Sequence, residues 1–265
     1  LNAGVQQNNF LGTGNRVGFN VSTSRFNKNV NVSYTDPYFT MNGVSLSGQV
    51  YMSEFDAGQA ENLIRYNQKT FGVSSGVGFP VDEINSFNFG IGYKNQEVTN
   101  VDGYEQIRKF YSAYLNRENP DDGVAFDIYE FNMGWSRVTL NRGRFPTSGS
   151  SQRAGIEISA PFSDVQYFRT NYEYKHYYPL TRDQQWTFLT RLNLGYGNGY
   201  GTDDRGNDYL LPFWESFRVG GQGDLRGFEA NTVGPRAIYS SASQLPAPPD
   251  VTGAPNGLPS GSDSQ

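Results

Sequence analysis

Apolar side chains alternate with small or polar residues in ten separate stretches of the chain, and this pattern constrains the fold more than any other feature. In one stretch, Gly18 and Asn20 stand between Val17, Phe19 and Val21. Because successive side chains of a β-strand point to opposite faces, a period of two predicts a strand with one apolar face. Turns and longer polar connections separate the stretches, which predicts an antiparallel meander. Residues 26–29 are expected to form a tight turn because Asn tolerates left-handed backbone angles, and residues 104–116 of one polar connection could form a short helix. The predicted strands lie at residues 1–8, 16–22, 30–34, 44–52, 71–79, 87–93, 128–136, 155–162, 168–178 and 186–197.

The residues opposite the apolar face indicate its surroundings. In a soluble sandwich they would form a solvent face rich in Lys, Glu and Thr. Here they are mainly Gly, Ser and Asn with scattered Arg and Glu, which suits the crowded, wet interior of a large barrel. Aromatic residues such as Phe71, Phe79, Trp186 and Tyr196 lie toward strand ends, as in the aromatic girdles of outer-membrane barrels. The predicted fold class is all-β, an antiparallel transmembrane β-barrel, with a soluble β-sandwich as the alternative.

Hydropathy does not conflict with this prediction. The mean hydropathy of −0.61 is typical of a soluble protein. No run approaches the roughly 18 apolar residues that a membrane-spanning helix needs. The strands of a membrane barrel are only half apolar, so they leave little trace in such an average.

Composition excludes several classes of function. The net charge is −5 and no basic block is present, so we do not expect nucleic acid as a partner. The chain has no Cys, which excludes disulfides, thiol catalysis and Cys-ligated zinc. One histidine, His176, cannot build a zinc site, and no Gly-x-Ser-x-Gly nucleophile motif is present. We therefore expect no enzyme activity, no metal and no cofactor.

Residues 218–228 form a glycine-rich stretch that shows neither strand alternation nor a helical period. Glycine at this density lets the backbone make turns and close approaches that other residues cannot make. The stretch presents a cation and an aromatic ring on either side of one glycine, although a surface loop with an incidental arginine is the alternative. Its candidate functional residues are Gly220, Gly221 and Gly223, followed by Leu225, Arg226, Gly227 and Phe228.

With these residues in place, the chain resembles the Omp85 superfamily of outer-membrane proteins. Residues 225–228 are similar to the family's Val-Arg-Gly-Phe motif in extracellular loop 6, with Leu225 in place of Val. The resemblance covers essentially the whole chain. Other similar segments are residues 3–7, 11–14, 36–40, 43–46, 142–147 and 229–235.

The resemblance implies a barrel of which this chain supplies about ten of sixteen strands. Residues 1–8 resemble strand two of the family's barrel and residues 185–198 resemble strand eleven. We therefore expect barrel strands in residues 1–199, followed by loop 6 in residues 200–265 with a flexible end rich in Pro, Ser and Gly. The chain is expected to be a segment of a larger protein. The periplasmic POTRA domains, the first strand and the last five strands, which include both edges of a lateral gate, would then lie outside it.

The function implied by the resemblance is the insertion and folding of β-barrel proteins in the bacterial outer membrane through a lateral seam. The implied partners are unfolded outer-membrane protein clients, accessory lipoproteins of the assembly complex, the lipid bilayer and lipopolysaccharide. The implied localisation is the cell outer membrane, and no cofactor is needed. An Omp85-type two-partner secretion transporter and a passive outer-membrane porin are the alternatives.

The resemblance also assigns roles to the loop residues. Arg226 is expected to fold back into the barrel lumen and to hold loop 6 there through charge-assisted hydrogen bonds to acidic residues beyond Gln265. Gly227 would permit the close approach, and Phe228 would pack against the barrel wall. By the strand alternation, the lumen-facing carboxylates are Glu130, Glu157 and Glu173. These three are candidates to assist the loop, although plain solvation in the lumen is the expectation for them.

Overall fold

All ten predicted strands form one antiparallel sheet, in which each strand pairs with its neighbours in sequence. The structure is a computed structural model that describes residues 1–59, 65–99, 107, 109–111, 114, 123–202, 208–223 and 225–234. Among these residues, no pairing joins the first strand to the last, so the sheet is open. The strands are β1 (Asn2–Asn8), β2 (Arg16–Thr23), β3 (Asn27–Asp36), β4 (Ser45–Asp56), β5 (Asn67–Pro80), β6 (Asn85–Thr99), β7 (Val124–Val138), β8 (Gly149–Ser159), β9 (Tyr167–Pro179) and β10 (Thr187–Gly199).

The two faces of the sheet differ as the alternation predicts. On one face, here called the apolar face, large side chains are open to the surroundings: Ile91 is 61% exposed and Phe131, its partner on the next strand, is 52% exposed. A water-soluble fold would bury such a continuous apolar surface, whereas a lipid-facing one exposes it. Within the described part of the chain, no helix is long and apolar enough to cross a membrane.

The opposite face, here called the polar face, carries the main buried cluster. At one end of this face, Val98 of β6 and Phe126 and Ile128 of β7 are fully buried. Ile107 and Phe110 cover them from the connection between these two strands, and Phe213 covers them from the segment after β10. Described residues of the β6–β7 connection and of the segment after β10 therefore meet over the polar face.

The connection between β6 and β7 was predicted to contain a short helix at residues 104–116. Its described residues 107, 109–111 and 114 are helical, and the rest of that prediction lies outside the described residues. The predicted flexible end, residues 240–265, lies outside them as well.

One predicted turn is displaced by the structure. The asparagines at 27 and 29 suggested a turn at residues 26–29, but Asn27 already pairs with Phe55 as the first residue of β3. The turn lies just before it, where the backbone N–H of Ser24 donates to the carbonyl of Asn27 at 2.7 Å. The backbone hydrogen bonds between β3 and β4 outweigh the preference of asparagine for turns. Structural context commonly overrides such local preferences.

Candidate functional site

The segment that follows β10, described here for residues 208–223 and 225–234, lies on the polar face and is called the loop. Three glycines on the polar side of β10 make room for it. A Cβ atom on Gly195 would lie 2.8 Å from the ring of Phe217, and one on Gly197 would lie 3.4 Å from Leu211. A Cβ atom on Gly199 would overlap the carbonyl oxygen of Tyr209. The absence of side chains at these positions is therefore what lets the loop approach the strand.

An ion pair fixes the loop to the sheet in front of these glycines. Glu215 of the loop lies 3.2 Å from Lys94 Nζ of β6, measured to Oε1, and its Oε2 accepts a hydrogen bond from Arg169 of β9. The Arg169 guanidinium also lies 5.0 Å from the centre of the Phe217 ring. One carboxylate thus bridges β6 and β9, and β7 and β8 lie between these two strands in the sheet. Charge-assisted hydrogen bonds of this kind are stronger than neutral ones.

Two further carboxylates complete the cluster around a buried tyrosine. The Tyr167 hydroxyl is 2.8 Å from Glu130 Oε1 and 2.9 Å from Glu157 Oε1, and Lys94 Nζ donates to it at 3.0 Å. Lys94 also forms an ion pair with Glu130. The side chains of Lys94 and Glu130 are 10% and 13% exposed, and Tyr167 is fully buried. Buried charges are tolerated only when paired and hydrogen-bonded, as they are here.

Aromatic packing adds an apolar contact beside the ion pairs. Trp214 and Phe213 are neighbours of Glu215, and both pack against Phe110 with ring centroids 5.1 Å and 5.8 Å away. Phe213 also meets Tyr66, which precedes β5, at 5.3 Å in an edge-to-face arrangement. Burial raises the pKa of the Tyr66 phenol to about 12. The loop is therefore attached to the sheet by an ionic and an apolar contact in adjacent residues.

The glycine-rich motif lies beyond this attachment and has its own turn geometry. Val219 and Val233 exchange backbone hydrogen bonds of 2.8 Å and 3.0 Å, which close the base of the motif. Within it, the N–H of Gly221 donates to the carbonyl of Phe228 at 3.0 Å. Gly220 has a φ of 135° and a Cβ there would overlap the carbonyl oxygen of Glu229, so both its conformation and its contacts require glycine. Gly227 has a φ of 92°.

The structure leaves the tip of the motif open. Arg226 is exposed and forms no ion pair or hydrogen bond with another described residue, and Phe228 is 54% exposed. A Cβ on Gly227 would meet nothing within 4 Å, so here its left-handed φ, and not a close approach, calls for glycine. The carbonyl of Gly223 accepts a hydrogen bond from Arg191 of β10 at 3.3 Å. The expected roles of Arg226 as a lumen anchor and of Phe228 as a contact with the barrel wall stay predictions.

The three candidate carboxylates separate into two groups. Glu130 and Glu157 lie together in the cluster around Tyr167, so the plain solvation expected of them does not describe their surroundings. Glu173 lies farther along β9, where it pairs with Lys175 and with Arg153 and stays partly exposed. Sequence reasoning missed four cluster residues: Lys94, Tyr167, Arg169 and Glu215. By the strand alternation Lys94 and Arg169 occupy polar-face positions, but nothing in the sequence indicates which carboxylates they contact.

The comparisons with known proteins agree with this geometry. The Omp85 superfamily domain matches residues 9–259, nearly the whole chain. The chain belongs to the Omp85 superfamily. Within the described residues, no group of three or more His, Asp or Glu side chains is arranged to hold a metal ion.

Three relatives of this Omp85 chain carry one name. This chain is 32% identical over 241 residues to "Outer membrane protein assembly factor BamA" of Neisseria meningitidis serogroup B. The match covers 89% of this chain and 29% of that protein. It is 26% identical over 116 residues to the protein of the same name from Buchnera aphidicola, covering 44% and 18%. Among solved structures, BamA from Haemophilus ducreyi lacking POTRA domains 1–3 is similar with a TM-score of 0.85 and 36% identity, over 91% of this chain and 45% of that one.

This Omp85 chain thus spans less than a third of the length of the curated relatives that it matches. The match confirms the antiparallel, all-β fold class, which is that of the BamA barrel. It also confirms the bacterial outer membrane as the localisation.

Proposed function

We propose that this chain forms part of the membrane domain of an outer-membrane protein assembly factor, which inserts and folds other β-barrel proteins. The observation that carries the proposal is the loop after β10, with its Leu225–Phe228 motif, folded onto the polar face of a sheet similar to the BamA barrel. A porin also folds a loop inward, but it has no reason to keep this glycine-rich motif.

The chemistry of such a factor involves no bond cleavage and no cofactor. A client strand that enters the membrane has backbone N–H and C=O groups without partners, and each unsatisfied group costs several kcal/mol in lipid. A barrel that opens at a weak seam offers a strand edge to which the client adds by backbone hydrogen bonds. The seam strands would come from parts of the protein other than this chain. Unfolded outer-membrane proteins are the proposed clients, accessory lipoproteins the proposed partners, and phospholipid and lipopolysaccharide the surroundings.

The same proposal divides the chain into two parts. Residues 1–199 supply barrel strands, and residues 200–265 supply extracellular loop 6. Arg226 is a second anchor of the loop, and carboxylates outside this chain are its partners. The resemblance of residues 225–228 to the family motif supports this role, as does the turn geometry at Gly227.

Depletion of the protein that contains this chain tests the proposal. The amount of several folded, heat-modifiable β-barrel proteins in the outer membrane should fall together, and re-expression should restore them. Loss of one secreted passenger with unchanged barrel proteins would instead indicate a two-partner secretion transporter. A change restricted to small-solute permeability, with matching single-channel conductance, would indicate a porin. A monodisperse monomer obtained without detergent would favour the soluble β-sandwich.

A further inference from the structure

We infer that the apolar face of β7, β8 and β9 carries a binding site for the headgroup of an anionic phospholipid, close to the turns that follow β7 and β9. The site is a group of polar side chains, here called the polar band, on a face that is otherwise apolar. Its members are Arg137, Thr139, Ser150, Gln152, Tyr174 and His176. The inference rests on the outer-membrane localisation of this chain and not on the proposed assembly activity.

The register of the strands places the polar band on the apolar face. Arg137 of β7 pairs with Gln152 of β8, and Gln152 pairs with Tyr174 of β9. Arg153, the next residue after Gln152, forms an ion pair with Glu173 on the polar face. Because successive side chains of a strand point to opposite faces, the three paired residues lie on the face that meets lipid.

Apolar side chains flank the polar band along the strands. Toward the middle of the sheet, Met133 and Trp135 precede Arg137 on the same face of β7. Toward the turns, Leu180 and Trp186 are 66% and 70% exposed. Outer-membrane barrels place aromatic girdles at the two membrane interfaces, where the lipid headgroups lie. The polar band therefore lies at the level of the lipid phosphates.

Arg137 and Gln152 have hydrogen-bond donors to offer at this level. Arg137 is exposed and forms no ion pair or hydrogen bond with another described residue. The Tyr172 hydroxyl donates to Gln152 Oε1 at 3.1 Å, which orients the carboxamide and leaves its Nε2 donors without a described partner. A guanidinium beside a further N–H donor suits the oxygen atoms of a phosphate group.

His176 extends this set of donors on β9. Its Nδ1 atom lies 2.9 Å from the Tyr174 hydroxyl, and its ring stacks on Tyr178 with centroids 3.8 Å apart. When Nδ1 accepts the hydroxyl proton, the neutral ring carries its own proton on Nε2. The ring is thus held in place, and its second nitrogen is available as a donor beside Gln152.

The charge of this end of the sheet favours an anionic lipid. Asp82, in the turn after β5, forms no ion pair with Arg137, because the side chain and the backbone N–H of Asn85 hold its two oxygen atoms at 2.7 Å and 2.6 Å. The hydrogen bond from the Asn85 side chain, more than the charge of Arg137, lowers the pKa of Asp82. The turn after β7 adds Arg142 and Arg144 and contains no acidic residue.

Competition between two lipids for the complete, purified protein tests this site. The protein in detergent is equilibrated with equal amounts of anionic phosphatidylglycerol and neutral phosphatidylcholine, and native mass spectrometry measures how much of each lipid stays bound. Arg137→Gln and Gln152→Leu are two independent changes in the polar band. Arg153→Gln is the matched control, because it removes a cation near the same level on the opposite face. Heat-modifiable mobility on gels identifies the folded variants.

The parent should retain phosphatidylglycerol in preference to phosphatidylcholine. Arg137→Gln should lower the retention of phosphatidylglycerol about five-fold, which is the effect of one arginine near an anionic membrane surface. Gln152→Leu should lower it by a smaller factor, and Arg153→Gln should leave it unchanged. The inference is wrong if the parent retains both lipids equally, if both folded band variants match the parent, or if Arg153→Gln loses as much lipid as Arg137→Gln. Loss of a bound protein from Arg137→Gln, with unchanged lipid retention, would assign the polar band to a protein partner instead.

Discussion

The Oε1 atom of Glu215 lies 3.2 Å from the Nζ atom of Lys94, although 121 positions of sequence separate the two residues. The contact exists because β6, β9 and the loop after β10 meet on one face of the sheet. It holds the segment after β10 on the polar face of the sheet. The cluster around it determines how this chain should respond to substitution.

Lys94→Met should lower the free energy of unfolding by about 3–5 kcal/mol, because it leaves buried carboxylates without their cation. Urea unfolding of the complete protein, followed by its heat-modifiable mobility on gels, measures this loss. The matched change is Lys28→Met, since Lys28 pairs with Glu54 at 3.2 Å but both side chains are about half exposed or more, at 62% and 49%. Exposed pairs contribute roughly 0–1 kcal/mol, so a similar loss in both variants would contradict a buried cluster.

Gly199→Ala should displace the loop, because the new Cβ would overlap the carbonyl oxygen of Tyr209. Backbone atoms cannot move aside as a flexible side chain can, so the loop itself has to shift. Faster amide hydrogen exchange in residues 208–217 would measure the displacement. Gly223→Ala is the control, since a Cβ there meets nothing within 4 Å and its exchange should match the parent. Unchanged exchange in Gly199→Ala would show that the loop does not rest on β10.

Tyr66 should ionise far above the ordinary tyrosine pKa of about 10. Burial raises its pKa to about 12, so the folded protein retains the phenolic proton more tightly than the unfolded chain does. The stability that this proton contributes is complete below pH 10 and is lost as pH rises from 10 toward 12. The ultraviolet difference between the parent and Tyr66→Phe isolates this one phenolate. A difference that titrates near pH 10 would contradict the burial of Tyr66 beneath Phe213.

The strand pattern could be predicted from the sequence, whereas the cluster could not. Alternation such as Val17, Phe19 and Val21 reports which face a residue occupies, because that depends only on its neighbours in the chain. The partner of Glu130 depends on which strands are adjacent and on where a distant loop returns. Lys94 lies 36 positions before Glu130, and nothing local distinguishes it from a solvated lysine.

The loop also shows that contacts between distant residues could not be predicted from the sequence. Its motif stands out in the sequence because of its glycines and Arg226, yet the ion pair that attaches the loop is formed by Glu215, a glutamate between Trp214 and Ser216. The alternation assigns Gly195 and Gly197 to the polar face of a strand, and Gly199 lies two residues beyond that predicted strand. Their purpose becomes evident only when Phe217, Leu211 and Tyr209 are seen to occupy the space that they leave.

Arg226→Ala in the complete protein examines the remaining motif prediction. If Arg226 is a second anchor, the tip at residues 220–228 should be cleaved faster by an added protease and client assembly should fall. Residues 208–219 should stay protected, because Glu215 and Phe213 are intact in this variant. Equal cleavage of the tip and equal client assembly in the parent and the variant would show that Arg226 does not anchor the loop.

The most direct measurement of the central claim, that the loop lies on the polar face of the sheet, is a disulfide between Gly195→Cys and Phe217→Cys. The Phe217 side chain reaches Gly195, with its ring 2.8 Å from the position of a Cβ there, so mild oxidation of the folded protein should link the two thiols. The pair Leu194→Cys and Phe217→Cys should not link, because Leu194 is the neighbouring residue on the opposite, apolar face and is 57% exposed. Efficient linkage of both pairs, or of neither, would contradict a loop held on the polar face.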